Sequence, residues 1–386
     1  MRQYKLAEHI IDQNDLNALA EWLRTNPQLT NGNLTLEFER EWARWVGTKY
    51  AVFCNSGSSA NLLMAYASLL SGKLKNKKVI LPSVGWVTTI APFMQFGFEP
   101  IMCGADNDNF GLHLEQLESL LKKHDPAVVI AVQVLGVPMN IDAVQELQKK
   151  YGFFFMEDAC AALGAEYGGK KVGAFSAMSS FSFFFGHQLS TIEGGMVNTD
   201  DEELYHLLLM LRSHGWIKNL PEEKRNALRN RYHMDGWHEP FTFVVPGFNV
   251  RATDLQAFLG LRMIKKADAV MQRRTENHLL YAKLLTNVVD YQHWDDKSTP
   301  CSISFGALAR DSEHRKKIVT ALDEHNIETR LFSAGNLGLH PFWTETYGEF
   351  HDEVSDKIHA CGFFLPNNES IHEEDVKHIC SIVNNA

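Results

Sequence analysis

Short apolar runs alternate with amphipathic stretches along the N-terminal half of the chain. Ala51–Cys54, Val79–Leu81, Ala127–Leu135 and Phe153–Met156 are apolar runs of strand length. Between them, Ser59–Leu70, Leu112–Lys123 and Ile141–Tyr151 read as helices, the last two with apolar residues at spacings of three and four. Strand alternating with helix predicts an α/β fold whose large, mixed but mostly parallel sheet is covered on both faces.

Further along, Asp201–Ser213 reads as a helix with Gly215 just beyond it as the stop. Residues 217–247 are rich in charge, aromatics, Pro and Gly, and read as a long irregular excursion of the kind that often carries function. Thr253–Thr286 then predicts one long or broken helix. Cys301–Ala309, Ser312–His325 and Glu373–Val383 suggest a second, smaller α/β unit. The expected division is a large domain over residues 1–245, with an N-terminal helix, and a small C-terminal domain over 246–386, meeting near Pro246.

Composition narrows the class of partner. The 386 residues are 45% hydrophobic and 22% charged, ordinary for a globular protein. A net charge of −10 without a long basic block argues against nucleic acid and against an anionic membrane surface. Lys73, Lys75, Lys77 and Lys78 form only a short cluster, read as a solvated loop. Val79–Phe98 and Val172–Ile192 are uncharged over a bilayer-spanning length, but Pro82 and Pro92 in one and clustered Ser in the other make them buried core and loop. The N-terminus lacks the apolar core of a signal peptide. Cys54, Cys103, Cys160, Cys301, Cys361 and Cys380 have no metal-binding spacing, so reduced thiols in the cytoplasm and no metal site are expected.

Several short motifs point to chemistry. In CNSGSSAN, residues 54–61, Gly57 and Ser58 follow a strand and open a helix, where free N–H groups and hydroxyls suit a phosphate. A Ser-rich helix cap would look the same. MEDAC places Glu157 and Asp158 at the end of an apolar strand, where ligands gather in open α/β sheets. A protonated ring nitrogen would compensate a buried acid there, although an acid capping the next helix is the plainer reading. Trp86 follows a strand and could offer its face to a flat ring or simply fill core. Asn249 and Arg251 sit in a turn before a helix, and such residues usually cap it. The run SSFSFFFGHQLSTIEGGMV, residues 179–197, has the look of a loop built around one special side chain.

Taken in order, with Leu255-Gln256-Ala257 and Gly260-Leu261 after Asn249 and Arg251, these motifs resemble the DegT/StrS-type sugar aminotransferases over nearly the full length. The resemblance implies the aspartate-aminotransferase fold and pyridoxal 5'-phosphate as cofactor. It implies Asp158 as the carboxylate facing the pyridinium nitrogen, Trp86 as the stacked residue, and Gly57, Ser58 and Ser182 as phosphate contacts. Asn249 resembles the residue that reaches a neighbouring subunit's phosphate, which implies a homodimer with shared active sites. A Gln common after the acid pair is Ala161 here. SHGW at 213–216, the Trp237 segment and TRLFSAGN at 329–336 are similar to the family's GDP-4-keto-6-deoxymannose 3-dehydratase branch, so His214 and Arg330 are assigned to sugar binding.

The family's loop carries a Lys that holds the cofactor. Spacing from Ser182 puts it at His187, and spacing back from Glu193 puts it at Gln188. Three readings follow. The first is an aminotransferase that moves an amino group from glutamate to an oxo sugar or nucleotide sugar in lipopolysaccharide or surface-polysaccharide biosynthesis, such as an 8-amino-3,8-dideoxy-manno-octulosonate transaminase, with Gln188 at the substituted position. The second is a sugar 3-dehydratase with His187 as base. The third is a binding protein that keeps the cofactor without turnover. Transamination, the majority activity of the family, is placed first.

Overall fold

The computed structural model describes residues 2–386. Its central element is a seven-stranded sheet. In chain order the strands are β1 (Tyr50–Cys54), β2 (Lys78–Pro82), β3 (Glu99–Cys103), β4 (Val128–Val132), β5 (Phe154–Asp158), β6 (Met178–Ser182) and β7 (Gly195–Thr199). Across the sheet they run β1-β7-β6-β5-β4-β2-β3. All neighbours from β6 to β3 are parallel, and β7 is antiparallel to both β6 and β1.

The strands read as continuous apolar runs because both faces are covered. Alternate residues of β4 enter different cores: Val128 and Ile130 pack with Leu63, Met64 and Phe93. Val129 and Ala131 pack with Leu117, Leu121 and Val144 on the opposite face. The helix Gly57–Leu70 starts at Ser56, whose hydroxyl accepts from the Ser59 amide at 3.0 Å. Ile141–Tyr151 ends at Gly152, where φ is +65°.

A smaller antiparallel sheet of Asp290–Tyr291, Ser304–Leu308 and Gly362–Pro366 carries the helices Ser312–Glu324 and Glu373–Asn384. The helical run 253–286 is broken into Asp254–Met263, a turn at Ile264–Lys266, and Ala267–Leu285. Its first part packs on the helix Asn33–Val46 of the large unit, with Ala257, Met263, Val270 and Met271 in one core with Phe38 and Trp42. Tyr281, Ala282 and Leu285 belong to the core of the small sheet. The change from one core to the other therefore falls along Ala267–Leu285, past the expected junction near Pro246.

Other differences have local causes. The strand expected over Ala127–Leu135 stops at Val132, and a tight turn at Val134–Gly136 follows, with Leu135 and Gly136 both at positive φ. Strands β3, β6 and β7 have polar residues or Pro in their runs, which hid them. The excursion at 217–247 contains a helix, Glu222–Arg231, tied back by Arg229 to Glu239. Among the described residues no helix is long and apolar enough to cross a membrane.

Candidate active site

The carboxyl ends of β5 and β6, the start of the helix Gly57–Leu70 and the edge of the small unit enclose a cavity of about 780 Å³. Asp158 lies on its floor, 5% exposed. Its Oδ2 accepts from Asn61 Nδ2 at 2.8 Å and from Thr89 Oγ1 at 2.6 Å, and its Oδ1 accepts from the Cys160 amide at 3.0 Å. Glu157, one residue earlier and so on the other face of the strand, is buried against Gln133 and the Gly173 and Phe175 amides. Burial, the largest influence, raises its carboxyl above the ordinary value. Of the two acids only Asp158 faces the cavity.

Strand β6 explains the alternation of Ser and Phe. Phe181 and the following Phe183 turn into the core, each edge-on to Trp42. Ser180 turns the other way and donates to Asn61 Oδ1 at 2.6 Å, and Ser182 lines the cavity. Gly57 faces Ser182 across a gap that admits no side chain, since a Cβ there would lie 2.6 Å from Ser182 Cβ, and Ser58 beside it lines the cavity. Gly195 is equally constrained, because a Cβ there would lie 2.1 Å from the Ser56 carbonyl oxygen. The result is a concave cradle of unpaired helix-start N–H groups and hydroxyls, suited to a phosphate. Trp86, 52% exposed, forms part of the cavity wall.

Between β6 and β7 the chain makes a tight turn, with the His187 amide donating to the Phe184 carbonyl at 2.9 Å. His187 faces the cavity, and its Nδ1 is covered and without a hydrogen-bond partner among the described residues. Burial pushes its pKa down to about 4, against the opposing pull of the Cys160 carbonyl and Asp158. The imidazole is therefore neutral at pH 7 and available as a base. Gln188 points the other way. It is 0% exposed, does not line the cavity, and spends its amide on the carbonyls of Ala161 and Cys301. Of the two positions that the spacing offered, the turn at Phe184–His187 brings residue 187 to the cavity and turns residue 188 away from it into the interior.

Arg330 reaches the cavity from the small unit, its guanidinium 5.0 Å from the Phe364 ring centroid and without an acidic partner among the described residues. Partial burial lowers its pKa. His214 and Asn249 lie outside this cavity. The His214 ring lies tilted against Trp216 with centroids 4.6 Å apart, and Asn249 accepts from Arg251 at 3.0 Å. The stretch carrying Asn249 runs beside the cradle, with the Asn55 amide donating to the Val250 carbonyl. Gln256 donates to the Glu193 carbonyl at 2.6 Å, which is how the Leu-Gln-Ala motif supports the loop. Asn61, Thr89, Cys160 and Ser333 are cavity residues that sequence reading missed. Lys5 is the one lysine among the lining residues, and it sits in the N-terminal segment beside Glu8.

A carboxylate on the floor, a phosphate cradle and an indole wall at the strand ends of this sheet define an enzyme of the pyridoxal phosphate-dependent transferase fold. The residues fit that cofactor: the cradle closed to any Cβ at Gly57 and the carboxylate at Asp158 match a group with a phosphate at one end and a basic ring nitrogen at the other. More particularly, the chain belongs to the DegT/DnrJ/EryC1/StrS aminotransferase family, whose model matches residues 9–384. It is 33% identical to the GDP-4-keto-6-deoxy-D-mannose 3-dehydratase of Yersinia pseudotuberculosis, over 99% of this chain and 98% of that one. The structure of the E. coli GDP-4-keto-6-deoxy-D-mannose-3-dehydratase with bound hydrated pyridoxal phosphate superposes with a TM-score of 0.90 at 28% identity, covering 99% of this chain and 100% of that one. A histidine-to-asparagine variant of a GDP-4-keto-6-deoxymannose-3-dehydratase with bound GDP-perosamine gives a TM-score of 0.90 at 27% identity, over 98% and 100% of the two chains. The protein is a pyridoxal phosphate-dependent enzyme of the sugar aminotransferase family.

Proposed function

We propose that this enzyme is a 3-dehydratase of a GDP-linked 4-keto-6-deoxyhexose, with glutamate as amino donor, in surface-polysaccharide biosynthesis. The observation that carries the reading is that the loop presents His187 to the cavity; the family resemblance, counted from Ser182, implies this position for the aminotransferases' lysine. The dehydratases named above, similar over nearly the whole chain, support it.

When bound, pyridoxal phosphate carries the amino group and withdraws electrons from the carbon attached to it. Gly57, Ser58 and Ser182 would hold its phosphate, Asp158 would pair with its ring nitrogen, and Trp86 would lie against the ring. His187 moves the proton: its neutral imidazole accepts one from carbon, and the imidazolium donates one to the C3 oxygen as that oxygen leaves as water. Arg330, which reaches the cavity, would meet the anionic or hydroxylated part of the sugar nucleotide. A lysine amine at 187 would exchange with the sugar's amino group and release an aminated product; an imidazole forms no imine and leaves elimination as the outcome, the nitrogen taken from glutamate departing as ammonia on hydrolysis by water.

Asn249 and His214 belong, on this reading, to the neighbouring subunit's site in a cytoplasmic homodimer. Their position beside the cradle but outside their own cavity supports it. Amination of a sugar such as the octulosonate is the competing outcome, favoured by the family's majority activity.

The deciding experiment supplies pyridoxal phosphate, glutamate and GDP-4-keto-6-deoxymannose, and follows 2-oxoglutarate together with the mass of the sugar product. Loss of the C3 oxygen, abolished in His187→Asn, is the expected result. A product with an amino group in place of the keto oxygen would assign the enzyme to transamination instead.

A further inference from the structure

The side chain next to His187 is a buried polar group to which the reaction assigns no task. Gln188 Nε2 donates to the Ala161 carbonyl at 2.8 Å and to the Cys301 carbonyl at 3.2 Å. These carbonyls belong to different parts of the molecule. Ala161 lies in the segment that leaves β5 just after Asp158, whereas Cys301 leads into the strand Ser304–Leu308 of the small sheet. Cys301 is itself tied to the tight turn after β4, its amide donating to the Gly136 carbonyl at 2.8 Å, and the Ile303 amide donates to Leu135 at 3.1 Å. The junction is closed to any rearrangement that needs room: a Cβ on Gly136 would lie 2.1 Å from the Cys301 oxygen and 3.1 Å from the Ala161 oxygen. Leu135, Ile303 and Ser304 all line the cavity.

Gln188 therefore bridges the strand ends that carry Asp158 and the small unit that carries Arg330. Its own Oε1 is covered and has no hydrogen-bond partner among the described residues. An amide buried with its acceptor unmet is a costly way to fill space, and an apolar side chain of the same length would fill it without that cost. Packing alone does not account for the choice.

We infer that Gln188 is a positioning residue, whose amide clamps the loop so that the His187 imidazole is held in the cavity and in register with the small unit. The inference rests on the reading of His187 as the base. Besides burial, the Cys160 carbonyl and Asp158 at the end of β5 pull the His187 value up, while Arg274 of the helix Ala267–Leu285 and Arg330 of the small unit push it down. Lys5, Glu8 and His9 of the N-terminal segment, Glu193 of the loop and Glu328 of the small unit line the same cavity. With the clamp in place, burial outweighs these groups and keeps the ring's pKa low. With the clamp removed, the loop admits water and the pKa climbs back toward the ordinary imidazole value.

The test uses the full-length chain with Gln188→Met, which removes both hydrogen bonds at similar length, and Gln188→Glu, which keeps the length but sets an acid against two carbonyl oxygens. The His187 imidazole is titrated by NMR in the cofactor-free protein, its resonance assigned by its absence from His187→Asn, and turnover is measured separately. In variants that still bind pyridoxal phosphate, the His187 midpoint should rise by about one pH unit or more, with kcat down about tenfold and the sugar KM changed less than about threefold. A merely structural Gln188 would lower the melting temperature and leave the midpoint and kcat where they were, which overturns the inference. Failure of both variants to fold assigns Gln188 to stability and overturns it too. A shifted midpoint in an enzyme whose product is an aminated sugar would keep the clamp and sink the dehydratase reading, so the two failures are distinguishable.

Discussion

Asn61 couples Asp158 to the neighbouring strand: its amide donates to Asp158 Oδ2 at 2.8 Å while its carbonyl oxygen accepts from the Ser180 hydroxyl at 2.6 Å. Together with Thr89 this leaves the carboxylate a single orientation on the cavity floor. A hydrogen bond to a charged group contributes about 1.5–3 kcal/mol, so Asn61→Ala is expected to weaken pyridoxal phosphate binding about tenfold or more. Asp158→Asn should weaken it further, because the partner of the ring nitrogen is lost outright. Absorbance titration with the cofactor reads both, and wild-type affinity in Asn61→Ala would show that the Ser180–Asn61–Asp158 chain has no bearing on the site.

The cofactor should be held without a covalent link. Lys5 is the one lysine that lines the cavity, and it belongs to the N-terminal segment rather than to the loop. Dialysis is expected to remove pyridoxal phosphate, and borohydride treatment followed by peptide mass analysis should find no reduced adduct on any lysine. An adduct at Lys5 would place a Schiff base where the loop has none.

Two glycines shape the phosphate cradle by what they exclude. Gly57→Ala sets a methyl 2.6 Å from Ser182 Cβ, and Gly195→Ala sets one 2.1 Å from the Ser56 carbonyl oxygen. The first neighbour is a side chain and the second is backbone, so Gly195→Ala should be the more damaging. Each overpacked site is expected to cost about 1–3 kcal/mol of stability. Pyridoxal 5'-phosphate affinity should fall in both while pyridoxal, which lacks the phosphate, is affected less. Equal losses for the two compounds would remove the cradle from the phosphate's binding site.

Much of the site was legible because it is local in the chain. Ser56, Gly57 and Ser58 announce a strand-to-helix junction, and Asp158 closes an apolar strand. Asn61 and Thr89 were not legible, since each looks like an ordinary residue of its helix and only the approach of two helices to β5 gives it a partner. Position 187 versus 188 could not be settled by counting, because the loop contains a tight turn at Phe184–His187 and a left-handed Ile192, where φ is +74°. Counting forward from the regular strand β6 finds the cavity-facing residue; counting back from Glu193 crosses the irregular part and misses it. The passage from one core to the other along Ala267–Leu285 was not legible for a related reason. The irregular stretch before Pro246 resembles a linker, yet Gly260 sits against the Phe38 ring and keeps the next helix on the large unit.

Acid should destabilise the protein through its buried imidazoles. His278 is fully buried, bonded to Ser302 at 2.8 Å through Nδ1 and unpartnered at Nε2, and burial pushes its pKa down to about 3. An unfolded imidazole takes up its proton near pH 6.5, so the unfolded state binds protons first as pH falls. Stability is therefore complete above that pH and is lost on the way down to about 3, with a slope on the order of 1.4 kcal/mol per pH unit. Buried Glu39 and Glu157, whose values are raised by burial, act in the opposite sense, so the comparison must be with a variant. His278→Phe should show a flatter loss of urea midpoint between pH 7 and pH 5 than the parent; an identical slope would assign the acid lability elsewhere.

The proposed sharing of sites between two subunits predicts complementation. His187→Asn and Asn249→Ala should each be nearly inactive alone. Mixed after dissociation and reassociation, they form heterodimers with one site that has both residues intact, and activity should return to about a quarter of the native level. No recovery in a mixture shown to exchange subunits would confine each site to one chain.

The alternation along Met178–Ser182 also constrains how this protein can change over time. Ser180 is registered opposite Asp158 on one side, and Ser182 opposite Gly195 on the other. A single-residue insertion or deletion in that stretch would swap the two faces, sending phenyl rings into the cavity and hydroxyls into the core. Length is frozen there from both sides. Residue 187 lies beyond the last rung of the ladder, where an exchange of one side chain disturbs no pairing. On the proposed role of His187, reaction type can thus drift by point substitution in a lineage whose scaffold tolerates no indel a few residues upstream.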